Sequence, residues 1–179
     1  QVCAVSGNTG SATVTRGVTA HEIDTGAAAV KYMLFQFIAR PQKMELIIRQ
    51  AVECGVAVVV PVSGEYSQKG SVDAVKGKAV KSDRLQRIIR EAREQSGSPV
   101  ETYVYDVVTP CIPLSAVFAE RANVKKAAVA VGSEGGISPR EIEILRSGGF
   151  IPVHFACNIL RCETAALYGI AALQSAVYW

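Results

Sequence analysis

A chain of 179 residues, 49% of them hydrophobic, suffices for one well-filled domain with room for a remnant of a second. No apolar run approaches membrane-spanning length and no signal-peptide pattern opens the chain. The five cysteines lack any CxxC pairing and the only histidines are His21 and His154, which points to reduced thiols in a cytoplasm and no metal site. The first residue is Gln, so a preceding segment is expected. The net charge of +3 is modest but uneven: between Lys69 and Glu94, eight Lys and Arg outweigh four acids. Such a basic block on a near-neutral body suits an RNA-contacting face, and equally an ordinary solvated helix face.

In chain order, residues 1 to about 40 are β-rich. Val2–Val5 and Ala12–Thr15 flank the turn residues Gly7, Asn8 and Gly10, a hairpin signal, and Tyr32–Ile38 forms a further strand. Lys43–Cys54 reads as an amphipathic helix with Met44, Ile47, Ile48, Ala51 and Val52 on one face and Gly55 as its C-cap. Val56–Val62 is a strand too apolar for a sheet edge. Residues 68–81 carry two glycines and four lysines without periodicity and read as a mobile loop. Ser82 caps a helix running to about Gln95, with Leu85, Ile88, Ile89 and Ala92 inward. Arg84, Arg87, Arg90 and Arg93, three apart, drift slowly around it. Tyr103–Val108 is a β-branched and aromatic strand.

The densest signals lie between Ala127 and Ala172. Ala127–Val131 is an unbroken apolar run, the mark of a strand buried on both faces. It ends in Gly132-Ser133-Glu134-Gly135-Gly136-Ile137, rich in residues that tolerate positive φ. Ser138-Pro139-Arg140-Glu141 then has the N-cap, the first-turn proline and the acid of a capping box, opening a helix that stops at Gly148-Gly149. Ile151–Phe155 makes another strand. A second loop, 156–164, feeds an Ala-rich closing helix, Ala165–Val177, apolar on most sides through Leu167, Tyr168, Ile170, Leu173 and Val177. Two loops at the C-terminal ends of two strands are where open α/β sheets bind ligands. By itself the glycine loop reads as a tight strand-to-helix turn with no ligand.

Gly132-Ser133-Glu134-Gly135-Gly136-Ile137-Ser138 resembles the GPEGG(F/L/I)S motif of the RsmE-type uridine-N3 ribosomal RNA methyltransferases, and Ile159-Leu160-Arg161-Cys162-Glu163-Thr164-Ala165 resembles that family's ILRxETA motif, in matching order and spacing. Lys43-Met44-Glu45 with Glu53-Cys54-Gly55-Val56 is similar to its KME…ELGV signature, and Glu94-Gln95-Ser96 to its EQSxR element. The resemblance implies a SPOUT-superfamily α/β fold: a mostly parallel sheet flanked by helices, with a deep trefoil knot in residues 127–179. Residues 39–179 would form the methyltransferase domain, and residues 1–38 a remnant of an N-terminal PUA-like β-domain with its connection. It further implies a homodimeric cytoplasmic enzyme that uses S-adenosylmethionine to methylate N3 of a uridine in 16S, small-subunit ribosomal RNA.

Carried onto this sequence, the donor would sit among Val131, Gly132, Glu134, Gly135 and Gly136 of the first loop and Phe155, Ala156, Ile159, Leu160, Arg161 and Thr164 of the second. Arg161 would stabilise the developing uridinate oxygen, with Glu134 and Glu163 in support; alternatively Arg161 and Glu163 form a bracing ion pair. Lys69, Arg84, Arg87 and Arg90 are the candidate RNA contacts. Departures from the family pattern fall at Ser133 (for Pro), Ala156 (for Gly), and Tyr66, Ser98 and Asn158 (each for Arg). Three lost arginines weaken phosphate or base recognition more than donor binding. The other reading is therefore a catalytically weak or inactive relative that binds RNA or S-adenosylmethionine. The span from Gln95 to Gly132 is also shorter than in the family, as though one strand and its loop were absent.

Overall fold

The computed structural model describes residues 3–7, 30–76, 83–109, 126–155 and 157–178. The elements are β1 (Cys3–Gly7), β2 (Lys31–Phe37), α1 (Pro41–Glu53), β3 (Val58–Val62), α2 (Lys69–Val75), α3 (Asp83–Ser96), β4 (Tyr103–Val104), β5 (Lys126–Val131), α4 (Pro139–Ser147), β6 (Ile151–Val153) and α5 (Cys162–Tyr178). All six strands join one sheet in the order β4-β3-β2-β5-β1-β6. The β4-β3-β2-β5 block is parallel throughout, with Leu34 opposite both Val59 and Val129. β1 enters antiparallel between β5 and β6, setting Cys3 opposite Val131 on one side and Val153 on the other.

Period-two alternation in β2 sends side chains into two cores. Tyr32 and Leu34, with Val59, Val129 and Val131, meet the apolar faces of α1, α3 and α5. Met33, Phe35 and Phe37, with Val60, Ala128 and Ala130, meet Leu145 of α4 and Phe150 beyond it. Phe35 and Phe150 close that second core edge to face, with ring centroids 5.5 Å apart. A strand covered on both faces needs apolar residues at every position, which is why Ala127–Val131 shows no alternation.

Several boundaries differ from the sequence reading. The loop expected over 68–81 contains α2: Val72 and Val75 are buried with Ile38, a three-residue spacing that the surrounding lysines and glycines hid. Residues 77–82, including the expected cap Ser82, lie outside the described residues. α1 begins at Pro41, whose fixed φ suits the first turn, two residues before the predicted start. The strand at 103–108 is regular only at Tyr103–Val104, rejoining β3 through a bridge from Val108 to Val62. α5 starts at Cys162, so the second motif crosses into the helix. Of residues 1–38, read as a remnant of an N-terminal β-domain with its connection, the described strands β1 and β2 both pair into the single sheet. The expected strand Ala12–Thr15 lies outside the described residues.

Candidate functional site

The first loop leaves β5 through Val131 and Gly132, both buried. The Gly136 amide donates to the Ser133 carbonyl at 2.9 Å, closing a tight turn with Gly136 at φ +86°. Only glycine takes that φ without strain. Gly132 is constrained for a different reason: a Cβ there would stand 2.6 Å from the Gly136 carbonyl carbon. Behind the turn, Ser138 caps α4 in a complete capping box with Glu141. The Glu141 carboxylate also accepts the Glu65 amide at 2.6 Å, and the Ser133 hydroxyl donates to the Tyr66 carbonyl at 3.3 Å. The 64–67 segment is thus strapped to the first loop. From the other flank, the fully buried Gln36 donates through Nε2 to the carbonyls of Val131 and Gly132.

The second loop follows β6. His154, Phe155, Cys157, Asn158, Ile159 and Leu160, with Ala165 of α5, line a shallow hollow. Phe155 packs edge to face on Tyr168 at 4.8 Å, and Ile159 is 91% exposed. Ala156 lies outside the described residues. Thr164 and Arg161 are exposed on the first turn of α5 and just before it.

The N-terminus of α1 joins the two loops. Lys43 Nζ lies 3.0 Å from Glu163 Oε2 and 3.8 Å from Glu134 Oε1. Arg40, the N-cap of α1, offers no side-chain cap; its amide donates to Glu134 Oε1 at 3.2 Å, so a carboxylate from the first loop sits at the positive end of the helix. Beneath them, the buried Cys162 thiol donates to Glu163 Oε2 at 3.2 Å and accepts from Lys43 at 3.8 Å. The hydrogen bond to Glu163 and the surrounding negative charges raise the Lys43 pKa despite some burial. Burial opposes ionisation of Glu163, but its own backbone amide, the Lys43 ammonium and the Cys162 thiol outweigh it and lower the pKa. Burial, then the hydrogen bond to Glu163, pushes the Cys162 thiol up to about 11, so it is no nucleophile at neutral pH.

The predicted site residues are therefore gathered unequally. Glu134 and Glu163 meet at one cation, but that cation is Lys43. Arg161 has no side-chain ion pair among the described residues, and the alternative Arg161–Glu163 brace is not formed. Lys43 is a site residue that the sequence motifs alone do not single out; the signal for it is its position in the first turn of α1, just after a strand end. On the basic face, Arg84 forms a two-pronged pair with Glu45 at 2.7 and 2.9 Å, and Arg87 pairs with Glu91 at 3.7 Å. Arg90 and Lys69 are exposed and carry no ion pair among the described residues.

Residues 27–110 and 110–174 match the RNA methyltransferase domain family. With two motif loops meeting at the ends of parallel strands, this fixes the class: the chain is built around an RNA methyltransferase domain. It belongs to the ribosomal RNA small subunit methyltransferase E family. It is 32% identical to Ribosomal RNA small subunit methyltransferase E of Aquifex aeolicus over 170 residues, which is 86% of this chain and 72% of that protein. It is 28% identical to Ribosomal RNA small subunit methyltransferase E 2 of Borreliella burgdorferi over 75% of this chain and 61% of that protein. Among solved structures, a methyltransferase from Legionella pneumophila in complex with S-adenosylmethionine is similar at TM-score 0.66 and 27% identity, covering 82% of this chain and 66% of that one. The S-adenosylmethionine-bound methyltransferase E of Neisseria gonorrhoeae shares the fold at TM-score 0.65 and 24% identity, with the same coverage.

Proposed function

We propose that this chain transfers a methyl group from S-adenosylmethionine to N3 of a uridine in small-subunit ribosomal RNA, using the loops after β5 and β6 as one site. The observation that carries the reading is the convergence of Glu134 and Glu163, one from each motif, on Lys43. The chemistry of the site suits the donor: Phe155 and Leu160 offer apolar walls, and the close-packed Gly132–Gly136 turn brings backbone groups within reach of a nucleoside. S-adenosylmethionine, when bound, supplies an already activated methyl on that sulfonium.

The protein's share of the work is positioning and control of charge. Uridine N3 holds its proton at neutral pH, so negative charge develops on the base as that proton leaves and is discharged as the methyl arrives and its bond to sulfur breaks. Arg161, exposed beside the hollow and without an ion pair among the described residues, presents a permanently charged guanidinium to a uridinate oxygen. Glu134 is the candidate proton acceptor from the first loop.

The finer architecture follows the same reading. The second loop and α5 form a SPOUT-type trefoil knot in residues 127–179, within a domain whose sheet also takes in β1 and β2. Exposed Leu167 and Tyr168 of α5, with Ile159, belong to a homodimer interface. Lys69, Arg84, Arg87 and Arg90 face the RNA backbone, in the cytoplasm where ribosomal RNA resides. Among the described residues no helix is long and apolar enough to cross a membrane, and no cluster of three or more potential ligands could hold a metal ion.

The test is transfer of labelled methyl to small-subunit ribosomal RNA lacking the modification, with the product nucleoside read by mass spectrometry. Appearance of 3-methyluridine is expected. Absence of transfer to naked RNA and to assembled subunit alike would overturn the assignment.

A further inference from the structure

Glu163 stands two residues from Arg161, yet its carboxylate turns to Lys43. Lys43 is well placed to hold it. Its backbone amide is fixed to the Arg40 carbonyl at 2.9 Å, and its neighbour Met44 is buried against Ala39 and Cys162, the residue between Arg161 and Glu163. The same ammonium reaches Glu134, whose carboxylate the Arg40 amide also holds. Lys43, Glu134, Arg161 and Glu163 sum to no net charge.

We propose that Lys43 is a positioning residue for methyl transfer: by engaging Glu163 and Glu134 it ties the two loops together and keeps the Arg161 guanidinium free for the RNA. This inference rests on the function proposed above and deepens it. Without the ammonium, two carboxylates are left in the site with one cation. Glu163 then folds back on Arg161, taking the guanidinium away from the base, and the surplus negative charge opposes a developing uridinate. Both effects act on the chemical step. Neither removes the apolar walls or the backbone groups that hold the donor. Lys43 touches no reacting atom in this scheme; it acts through Glu163 and Arg161.

The experiment compares Lys43→Met, Lys43→Arg and the double variant Lys43→Met/Glu163→Gln with the unsubstituted protein. Under saturating donor and RNA, Lys43→Met should lower kcat on the order of tenfold to a hundredfold, the scale set by misdirecting one preorganised donor. Donor affinity by calorimetry should stay within about threefold, since no donor contact is lost. Lys43→Arg should restore most of the rate. The double variant should be faster than Lys43→Met alone, because removing the stray carboxylate frees Arg161 again; a purely structural lysine predicts a slower one. A second arm needs no methyl transfer: modification of Arg161 by phenylglyoxal, mapped by mass spectrometry, should be several-fold slower in Lys43→Met and normal in the double variant. Loss of transfer in every protein with that protection pattern intact would discard the methyltransferase assignment and keep the role of Lys43 toward Arg161. Equal Arg161 modification in all variants, or a double variant no faster than Lys43→Met, would overturn the inference.

Discussion

Gln36 Nε2 lies 3.4 Å from the Val131 carbonyl oxygen and 3.2 Å from that of Gly132, so one buried amide on β2 holds the last turn of backbone before the first loop. It also donates to the Phe37 carbonyl at 2.9 Å. Replacing Gln36 by Met keeps the volume and removes these donors, leaving buried carbonyls unpaired. The expected cost is about 1–3 kcal/mol of stability, measured by urea unfolding. Donor affinity should fall with it, because the loop backbone is no longer fixed. Unchanged stability would mean that the carbonyls find other donors.

Arg161→Ala should reduce turnover about 100-fold, as for loss of one preorganised electrostatic donor, while donor affinity by calorimetry moves by no more than a few-fold. Arg161 is exposed and has no ion pair among the described residues. A collapse of donor affinity together with the melting temperature would assign Arg161 to architecture instead.

Gly132→Ala tests how closely the turn is packed. The new Cβ would meet backbone of Gly136, which cannot move aside as a side-chain tip can. The loop must open, costing about 1–3 kcal/mol as overpacking does. Donor binding should weaken by more than it does for Arg161→Ala. Thermal melts with and without donor separate the two effects.

The charged cluster sets a pH window. Glu163 has a lowered pKa, so its contribution is present above the ordinary carboxylate range and is lost as pH falls through its folded value. Lys43 and Cys162 have raised values, so theirs are present at neutral pH. For Cys162 the loss runs from its ordinary 9.0 to about 11 as pH rises. Melting temperature should therefore decline on both flanks, and Cys162→Ala should flatten the alkaline one. An identical alkaline limb in that variant would show that other groups dominate it.

On α3, Arg84 and Arg87 are already engaged by Glu45 and Glu91, whereas Arg90 has no such partner among the described residues. Arg90→Glu should weaken binding to small-subunit ribosomal RNA more than Arg87→Glu. It should also reduce the slope of log affinity against log salt by about one counterion. Filter binding across a salt series measures both. Equal slopes would place the RNA elsewhere.

The elements that were legible in the sequence are those where local chemistry and packing agree. Ser138, Pro139 and Glu141 announce α4 because a capping box depends only on residues three apart in the chain. Ala127–Val131 announces a central strand because both its faces need apolar cover. The meeting of Glu134 and Glu163 at Lys43 was not legible, because an ion pair across three elements leaves no periodic trace. α2 was hidden by its composition: Lys69, Gly70 and Asp73 look like loop, and only burial of Val72 and Val75 against Ile38 makes it a helix. The pairing of β1 had no local signature either, since a five-residue strand does not encode its neighbours.

That placement of β1 bears on how the fold is reached. β5 and β6 run the same way but are one strand apart, and among the described residues β6 is hydrogen-bonded in the sheet only through β1. The intervening segment lies before both in the chain, separated from them by all of β2 to β4. Within the parallel block β2, β3 and β4 can pair by successive near neighbours, whereas β5 must return to β2 across β3 and β4. The third residue, by contrast, must find positions 131 and 153, the longest closures in the sheet and the costliest in chain entropy. Insertion of β1 is therefore expected as a late, slow event in refolding, and β6, with the loop that follows it, gains its order only then.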